Sequence, residues 1–128
     1  MALRDQLRVL VVDDMSTSRG LITQALDSLG IRHVSVGTNV EEAIKHLETN
    51  QTHLVISDYN MPGQSGLALL ERIRSQPNGS KIAFILITGK LERSVIEKGK
   101  ALAMNNVISK PFNTDDVRKA IEAVLGRL

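Results

Sequence analysis

The chain has 128 residues, a formal net charge of +2 and 42% hydrophobic residues, which fits one folded domain and excludes a disordered or coiled-coil protein. It contains no cysteine, so disulfides, thiolate catalysis and cysteine-ligated zinc are excluded. The small charge and the 2% aromatic residues argue against nucleic-acid binding, and no apolar run approaches the ~20 residues that span a bilayer. Because the first residues also lack the apolar stretch of a signal peptide, we expect a soluble cytoplasmic protein.

Five short apolar segments predict β-strands. Three of them are continuous, at 7–12, 54–57 and 83–87, and two are weaker, at 34–36 and 107–108. Continuous apolar strands are typical of a sheet that helices cover on both faces, because an alternating pattern would leave one face in water.

Amphipathic helical patterns follow each of these strands. Thr38 and Glu41 fit a capping box at the start of the second helix, and Ser65 and Asn113 are the expected caps of the third and fifth helices. Gly30 is expected to end the first helix. The five apolar stripes lie at 21–29, 40–47, 69–73, 95–102 and 117–125.

Strict alternation of strands and helices predicts a mostly parallel sheet with right-handed crossovers and helices on both faces. No internal repeat, linker or low-complexity tract interrupts the pattern, so we expect one domain over residues 1–128. In such sheets, ligands bind at the carboxyl ends of the strands. The residues that follow each strand are therefore the candidates for function.

Four of the five strands end in polar residues. Three carboxylates at one sheet edge repel each other, at a cost of about 4 kcal/mol for a pair ~4 Å apart at an effective dielectric near ~20. A lysine offsets part of this charge, and a hard divalent cation such as Mg²⁺ is the natural second partner of carboxylates. The strand-end residues are Asp13 and Asp14, Asp58, Thr88 and Gly89, and Lys110 with Pro111.

The order of these residues resembles the receiver domain of two-component response regulators. The matching strings are VLVVDD at 9–14, LVISDYNMPGQSG at 54–66, FILITGK at 84–90 and ISKPF at 108–112. The similarity runs from Leu7 to Leu125. It implies a flavodoxin-like (CheY-like) α/β fold, a three-layer sandwich with a five-stranded parallel sheet of order 2-1-3-4-5 and five helices.

The resemblance implies a role for each acidic residue. Asp58 is expected to be the phosphoacceptor, taking a phosphoryl group from a histidine kinase. Asp14 is expected to bind Mg²⁺ directly and Asp13 through water, with Asp58 and the backbone carbonyl of Asn60 completing the protein ligands. The carboxylate of Asp58 would act as a nucleophile, so it must be ionised when it attacks.

The resemblance also implies how the phosphoryl oxygens are held. Lys110 is expected to pair with one oxygen, and the Thr88 hydroxyl and the Gly89 N–H with another. The Lys110–Pro111 peptide bond is expected to be cis.

The implied function is a switch of partner binding. A chain of this length resembles a stand-alone chemotaxis regulator, which implies a CheA-type kinase and a flagellar motor switch protein as partners of a monomer. It implies no enzyme activity beyond phosphotransfer and dephosphorylation at Asp58, and neither nucleic acid nor membrane as a partner.

The sequence also departs from the family pattern. Val107 stands on the fifth strand where the family usually has an aromatic switch residue, and Lys90 stands where many relatives have an acidic or small residue. Tyr59 and Asn60 flank the proposed acceptor.

Three alternatives stay open at this point. The first is a phosphate sink without motor output, because Val107 replaces the aromatic residue. The second is a receiver fragment of a longer regulator. The third is a small Mg²⁺-dependent phosphohydrolase of the haloacid dehalogenase kind, which is disfavoured because Asn60 stands where those enzymes need an acidic proton donor.

Overall fold

Five β-strands form one parallel sheet in the computed structural model, which describes residues 2–128. The strands are β1 (Arg8–Val12), β2 (His33–Gly37), β3 (Leu54–Asp58), β4 (Ala83–Thr88) and β5 (Asn106–Ser109). Their order is β2-β1-β3-β4-β5, and every neighbouring pair is parallel. The predicted fold class and strand order are confirmed.

The five predicted helices are present, and a short helix that was not predicted precedes them. The helices are α1 (Leu3–Gln6), α2 (Ser16–Ser28), α3 (Val40–Thr49), α4 (Gly66–Ser75), α5 (Arg93–Ala101) and α6 (Thr114–Leu125), with a 3₁₀ turn at Gly79–Lys81. Helix α1 escaped prediction because a single turn is too short to show an apolar period. Within residues 2–128, no helix has the length and apolarity needed to cross a membrane.

Helices pack on both faces of the sheet because alternate strand residues point to opposite faces. Val9 and Val11 of β1 face one hydrophobic cluster, which α2 and α6 complete. Leu10 and Val12 face a second cluster, which α3, α4 and α5 complete. The central strands β3 and β4 are buried along their whole length, which explains their continuous apolar sequences.

The helix caps confirm two predictions and correct a third. The side chain of Ser65 accepts a hydrogen bond from the Ala68 N–H, and Asn113 forms a capping box with Asp116. Helix α3 is capped by Asn39 instead of Thr38. The carboxylate of Glu42 accepts hydrogen bonds from the N–H and hydroxyl of Thr38, so the predicted pair is displaced by one residue.

Candidate functional site

Three carboxylates meet at the carboxyl edge of the sheet. Asp13 and Asp14 follow β1, and Asp58 is the last residue of the neighbouring strand β3. One oxygen from each of the three lies within 4.8 Å of the other two. Asp13 is fully buried and Asp58 is 4% exposed, so water screens this negative charge weakly.

One ammonium group faces this acidic cluster. The Nζ of Lys110 lies 2.8 Å from Oδ1 of Asp58, and its side chain is one-third exposed (33%). The backbone N–H of Lys110 donates to the carbonyl of Thr88 over 2.9 Å, which fixes the end of β5 beside the end of β4. The Lys110–Pro111 peptide bond is cis, as predicted.

The environment of Asp58 opposes its ionisation on balance. Burial raises the pKa of the Asp58 carboxyl above its ordinary value, and the charges of Asp13 and Asp14 raise it further. The hydrogen bond and the charge of Lys110 lower the pKa again, but they offset only part of the rise. A further cation in the cluster would favour the ionised carboxylate.

Two carboxylate oxygens in the cluster are buried without a hydrogen-bond partner among residues 2–128, namely Oδ2 of Asp13 and Oδ1 of Asp14. The other oxygen of Asp13 accepts a hydrogen bond from the Met15 N–H over 3.0 Å. Buried polar atoms in proteins are normally paired, and ionised oxygens most of all. The donor set, three carboxylates of which two carry an unpaired buried oxygen, therefore fits a hard divalent cation such as Mg²⁺.

The remaining predicted site residues are Thr88, Gly89 and Asn60, and they lie in or beside the loops that follow β3 and β4. The hydroxyl of Thr88 donates to the carbonyl of Lys90 over 3.0 Å and accepts from its N–H over 3.2 Å. Gly89 is exposed, and a Cβ at this position would meet no atom within 4 Å. Asn60 lies in the exposed turn after β3.

Two residues that the sequence analysis did not single out shape the site. The guanidinium of Arg19 in α2 donates to the backbone carbonyl of Asp13 over 2.9 Å, which ties the end of β1 to this helix. Gly66 lies so close to Asp58 that a Cβ would overlap its backbone carbonyl oxygen. Arg19 could have been considered from the sequence, because it follows Asp14 by five residues. No feature of the sequence indicates that Gly66 contacts Asp58.

Comparisons with known proteins agree with this arrangement. The family model of the response regulator receiver domain matches residues 9–122. The chain belongs to the response regulator receiver domain family. A probable chemotaxis protein CheY of Rhizobium etli is 39% identical to this receiver over 128 residues, which cover 100% of this chain and 99% of the relative.

Solved structures show the same receiver fold. The chemotaxis response regulator CheY4 of Vibrio cholerae has a TM-score of 0.85 and 26% identity, over 93% of this chain and 98% of that one. The response regulator TrrA of Thermotoga maritima, solved in complex with Mg(2+)-BeF, has a TM-score of 0.81 and 30% identity, over 93% of this chain and 99% of that one.

The receiver differs from the family pattern at the edge strand β5. Val107 is half-buried and packs against the cluster under α3, α4 and α5, and its backbone N–H donates to Oδ1 of Asn106 over 2.9 Å. A cavity of about 410 Å³ lies over this strand and is lined by Val107, Ser109 and Lys119, among others.

We expect Asp13→Asn to stabilise the receiver in the absence of divalent cations. Two carboxylate oxygens within 4.8 Å of each other repel by about 3 kcal/mol or more at an effective dielectric near ~20. Asparagine removes this repulsion while keeping an oxygen for the Met15 N–H. The free energy of unfolding in EDTA should rise by about 1 kcal/mol, as measured by urea denaturation.

Magnesium should make the native receiver more stable than Asp13→Asn, the reverse of the order expected in EDTA. Millimolar Mg²⁺ should stabilise the native receiver more than Asp13→Asn, because binding to the folded state adds to stability. The exposed Asp27→Asn serves as control and should behave as the native chain does. A variant at Asp13 that is less stable than the native receiver in EDTA would contradict the electrostatic account.

Proposed function

We propose that this receiver accepts a phosphoryl group on Asp58 from a histidine kinase, in a Mg²⁺-dependent reaction, and that phosphorylation switches its binding to a partner protein. The observation that carries the proposal is the cluster itself: Asp58 lies within 4.8 Å of two further carboxylates and 2.8 Å from the ammonium of Lys110. Membership of the receiver family favours this reading over the hydrolase alternative.

The chemistry is a phosphoryl transfer between two side chains. A carboxylate oxygen of Asp58 forms a bond to phosphorus, and the bond between phosphorus and the imidazole nitrogen of the kinase breaks. The imidazole keeps the electron pair, and Asp58 becomes an acyl phosphate. Because only the ionised carboxylate attacks, the cations around Asp58 must counter the effect of burial on its pKa.

The metal would be held by the carboxylates of Asp13, Asp14 and Asp58 and by the backbone carbonyl of Asn60. The unpaired oxygens of Asp13 and Asp14 support this assignment, because they are the atoms that lack another partner within residues 2–128. When bound, Mg²⁺ supplies positive charge that offsets the negative charge of the phosphoryl oxygens and the carboxylates.

Lys110, Thr88 and Gly89 would hold the other phosphoryl oxygens. Lys110 already faces Asp58, so its ammonium needs little movement to pair with an added phosphoryl group. Gly89 is exposed in the loop after β4 and carries no side chain that could cover its N–H. The hydroxyl of Thr88 must first leave its two hydrogen bonds to the backbone of Lys90.

This exchange at Thr88 offers a route from phosphorylation to a change of surface. The two hydrogen bonds hold the loop after β4 in its present form, and their loss would free the loop at Lys90. A phosphoryl group adds roughly two negative charges beside Lys110 and Thr88. Shifting a two-state balance from 1:99 to 99:1 takes about 5.5 kcal/mol, much of which charge-assisted hydrogen bonds can supply.

The biological setting that we propose is chemotaxis. The relative from Rhizobium etli carries the name of a chemotaxis protein and matches over nearly its whole length, and the solved structure from Vibrio cholerae is a chemotaxis response regulator. We therefore propose a single receiver domain over residues 1–128 that acts as a cytoplasmic monomer, with a CheA-type kinase and a flagellar motor switch protein as partners.

Phosphotransfer from a panel of autophosphorylated histidine kinases tests the proposal. With Mg²⁺ present, the receiver should take radiolabelled phosphate from at least one kinase, and EDTA should prevent this. The label should be lost in alkali, as expected of an acyl phosphate. Transfer at an equal rate in EDTA would contradict the magnesium site, and the absence of transfer from every chemotaxis kinase would contradict the proposed setting.

A second candidate is a phosphate sink that drains the kinase without motor output. Val107 favours it, because the aromatic residue that the family usually carries at this position is missing. A pull-down of the flagellar motor switch protein by the phosphorylated receiver separates the two. Binding that depends on phosphorylation supports the switch, whereas no binding with or without phosphate supports the sink.

A further inference from the structure

The outer edge of β2 has no strand partner. Strand β2 pairs with β1 on one side, and within residues 2–128 no strand pairs with its other side. Val36 on this strand is 53% exposed, as few large apolar side chains among residues 2–128 are. An exposed apolar edge strand offers backbone N–H and C=O groups to an incoming strand.

A basic pocket borders this edge on the face that α3 covers. Its volume is about 280 Å³, and its charged and titratable lining residues are Arg8, Arg32, His33 and His46. No acidic residue lines it in the described part of the chain. The Arg32 side chain is 71% accessible and its ion pair with Asp5 contributes little energy, so an incoming carboxylate can compete with Asp5 for the guanidinium.

A second pocket borders the same edge on the face that α2 covers. It has a volume of about 310 Å³ and is lined by the apolar side chains of Ile31, Val34 and Val36, with Thr23, Asp27 and Arg32 at its border. Val34 and Arg32 line both pockets. The two pockets therefore lie on opposite faces of one strand, and their chemistry differs.

We propose that the β2 edge surface, made of residues 31–36 with the two pockets, binds an extended segment of another protein in which acidic and apolar residues alternate. Successive side chains of a strand point to opposite faces, so such a segment would place acidic side chains in the basic pocket and apolar ones against Val34 and Val36. Charge complementarity selects this occupant. A second copy of the chain offers no acidic residue along its own β2, whose sequence is HVSVG.

The probe is the peptide acetyl-EVEVEVE-amide, added to ¹⁵N-labelled receiver without phosphorylation. The amide signals of residues 33–37 should shift, and the affinity should fall as salt is added. Two further peptides test the pattern. Acetyl-KVKVKVK-amide alternates but carries the opposite charge. Acetyl-EEEEVVV-amide has the same composition as the first peptide but does not alternate, and we expect both controls to bind at least about tenfold more weakly than the first peptide.

Variants at exposed positions test the site. Val36→Lys should weaken binding of the alternating acidic peptide by about tenfold, because a charge on an edge strand hinders pairing and occupies the apolar pocket. Arg32→Glu should also weaken it. Leu91→Lys is the matched control, because Leu91 is 51% exposed but lies outside this edge, and it should change the affinity by less than about twofold.

Several outcomes would overturn the proposal. Shifts that leave residues 33–37 unaffected would place the peptide elsewhere, and equal binding of the lysine peptide or the reordered peptide would exclude charge-matched strand pairing. Shifts at residues 33–37 that depend on receiver concentration without peptide would show that a second copy covers this edge instead. None of these results depends on phosphotransfer, so they are independent of the proposed function.

Discussion

Asp58→Asn is expected to abolish phosphotransfer to the receiver, with labelling at least about 100-fold below that of the native chain. Asparagine has nearly the same size, so the site keeps its shape, but an amide has no ionised oxygen to attack phosphorus. Asp13 and Asp14 do not replace it, because Asp58 is the carboxylate that Lys110 contacts. The variant should remain folded, since it removes charge from a crowded acidic cluster.

The measurement is transfer of radiolabelled phosphate from the cognate kinase in Mg²⁺, followed over time. Asp5→Asn is the control, because Asp5 lies in α1, outside the acidic cluster, and its side chain pairs with that of Arg32. Its labelling should equal that of the native receiver. Label that persists in Asp58→Asn would mean that another residue is the acceptor, and the assignment of the site would then be wrong.

Gly66→Ala is expected to lower the free energy of unfolding by about 3 kcal/mol, although it adds a single methyl group. The added Cβ would overlap the backbone carbonyl oxygen of Asp58 and press on the side chain of Leu86. Both neighbours belong to buried strands of the sheet, so neither has free space to move into. The start of α4 would therefore have to shift away from the end of β3.

Thermal unfolding measures this effect, and the midpoint should fall by about 10 °C. Gly20→Ala is the matched control, because a Cβ at Gly20 in α2 meets no atom within 4 Å. It should raise the stability by up to about 1 kcal/mol, as alanine does inside a helix. If Gly66→Ala had the same stability as the native chain, the close approach of Gly66 to Asp58 would be contradicted.

The gathering of the carboxylates could be predicted from the sequence because it depends on topology alone. Parallel strands bring their carboxyl ends to one edge, so residues at the ends of β1 and β3 must lie close together once the strands are neighbours. The position of Lys110 after β5 follows from the same rule. The rule does not predict which oxygen Lys110 contacts, and the structure shows that it is Oδ1 of Asp58.

The state of Thr88 could not be predicted. The sequence places it at the end of β4, but the partner of its hydroxyl depends on the path of the following loop, which returns the backbone of Lys90 to it. The cap of α3 shows the same limit. Threonine and asparagine are both favourable cap residues, and the local path of the chain places Asn39, not Thr38, at the cap position.

Arg74 shows how tertiary contacts override a pattern. A charged residue near the end of α4 is typical of a solvated face, yet its guanidinium donates to the carbonyls of Gly79, Ile82, Leu102 and Ala103. The carbonyls of Leu102 and Ala103 belong to a segment that is distant from Arg74 in sequence. Only the folded chain brings them within reach of one side chain.

The sequence by itself determined the alternation of strands and helices, the burial of the central strands and the residues at the strand ends, because these follow from local apolar patterns and chain order. Tertiary structure alone decided the contact of Gly66 with Asp58, the two unpaired oxygens of Asp13 and Asp14, and the pockets beside β2. The physical reason is that such features depend on distances of a few ångströms between elements, which packing sets and no single segment encodes.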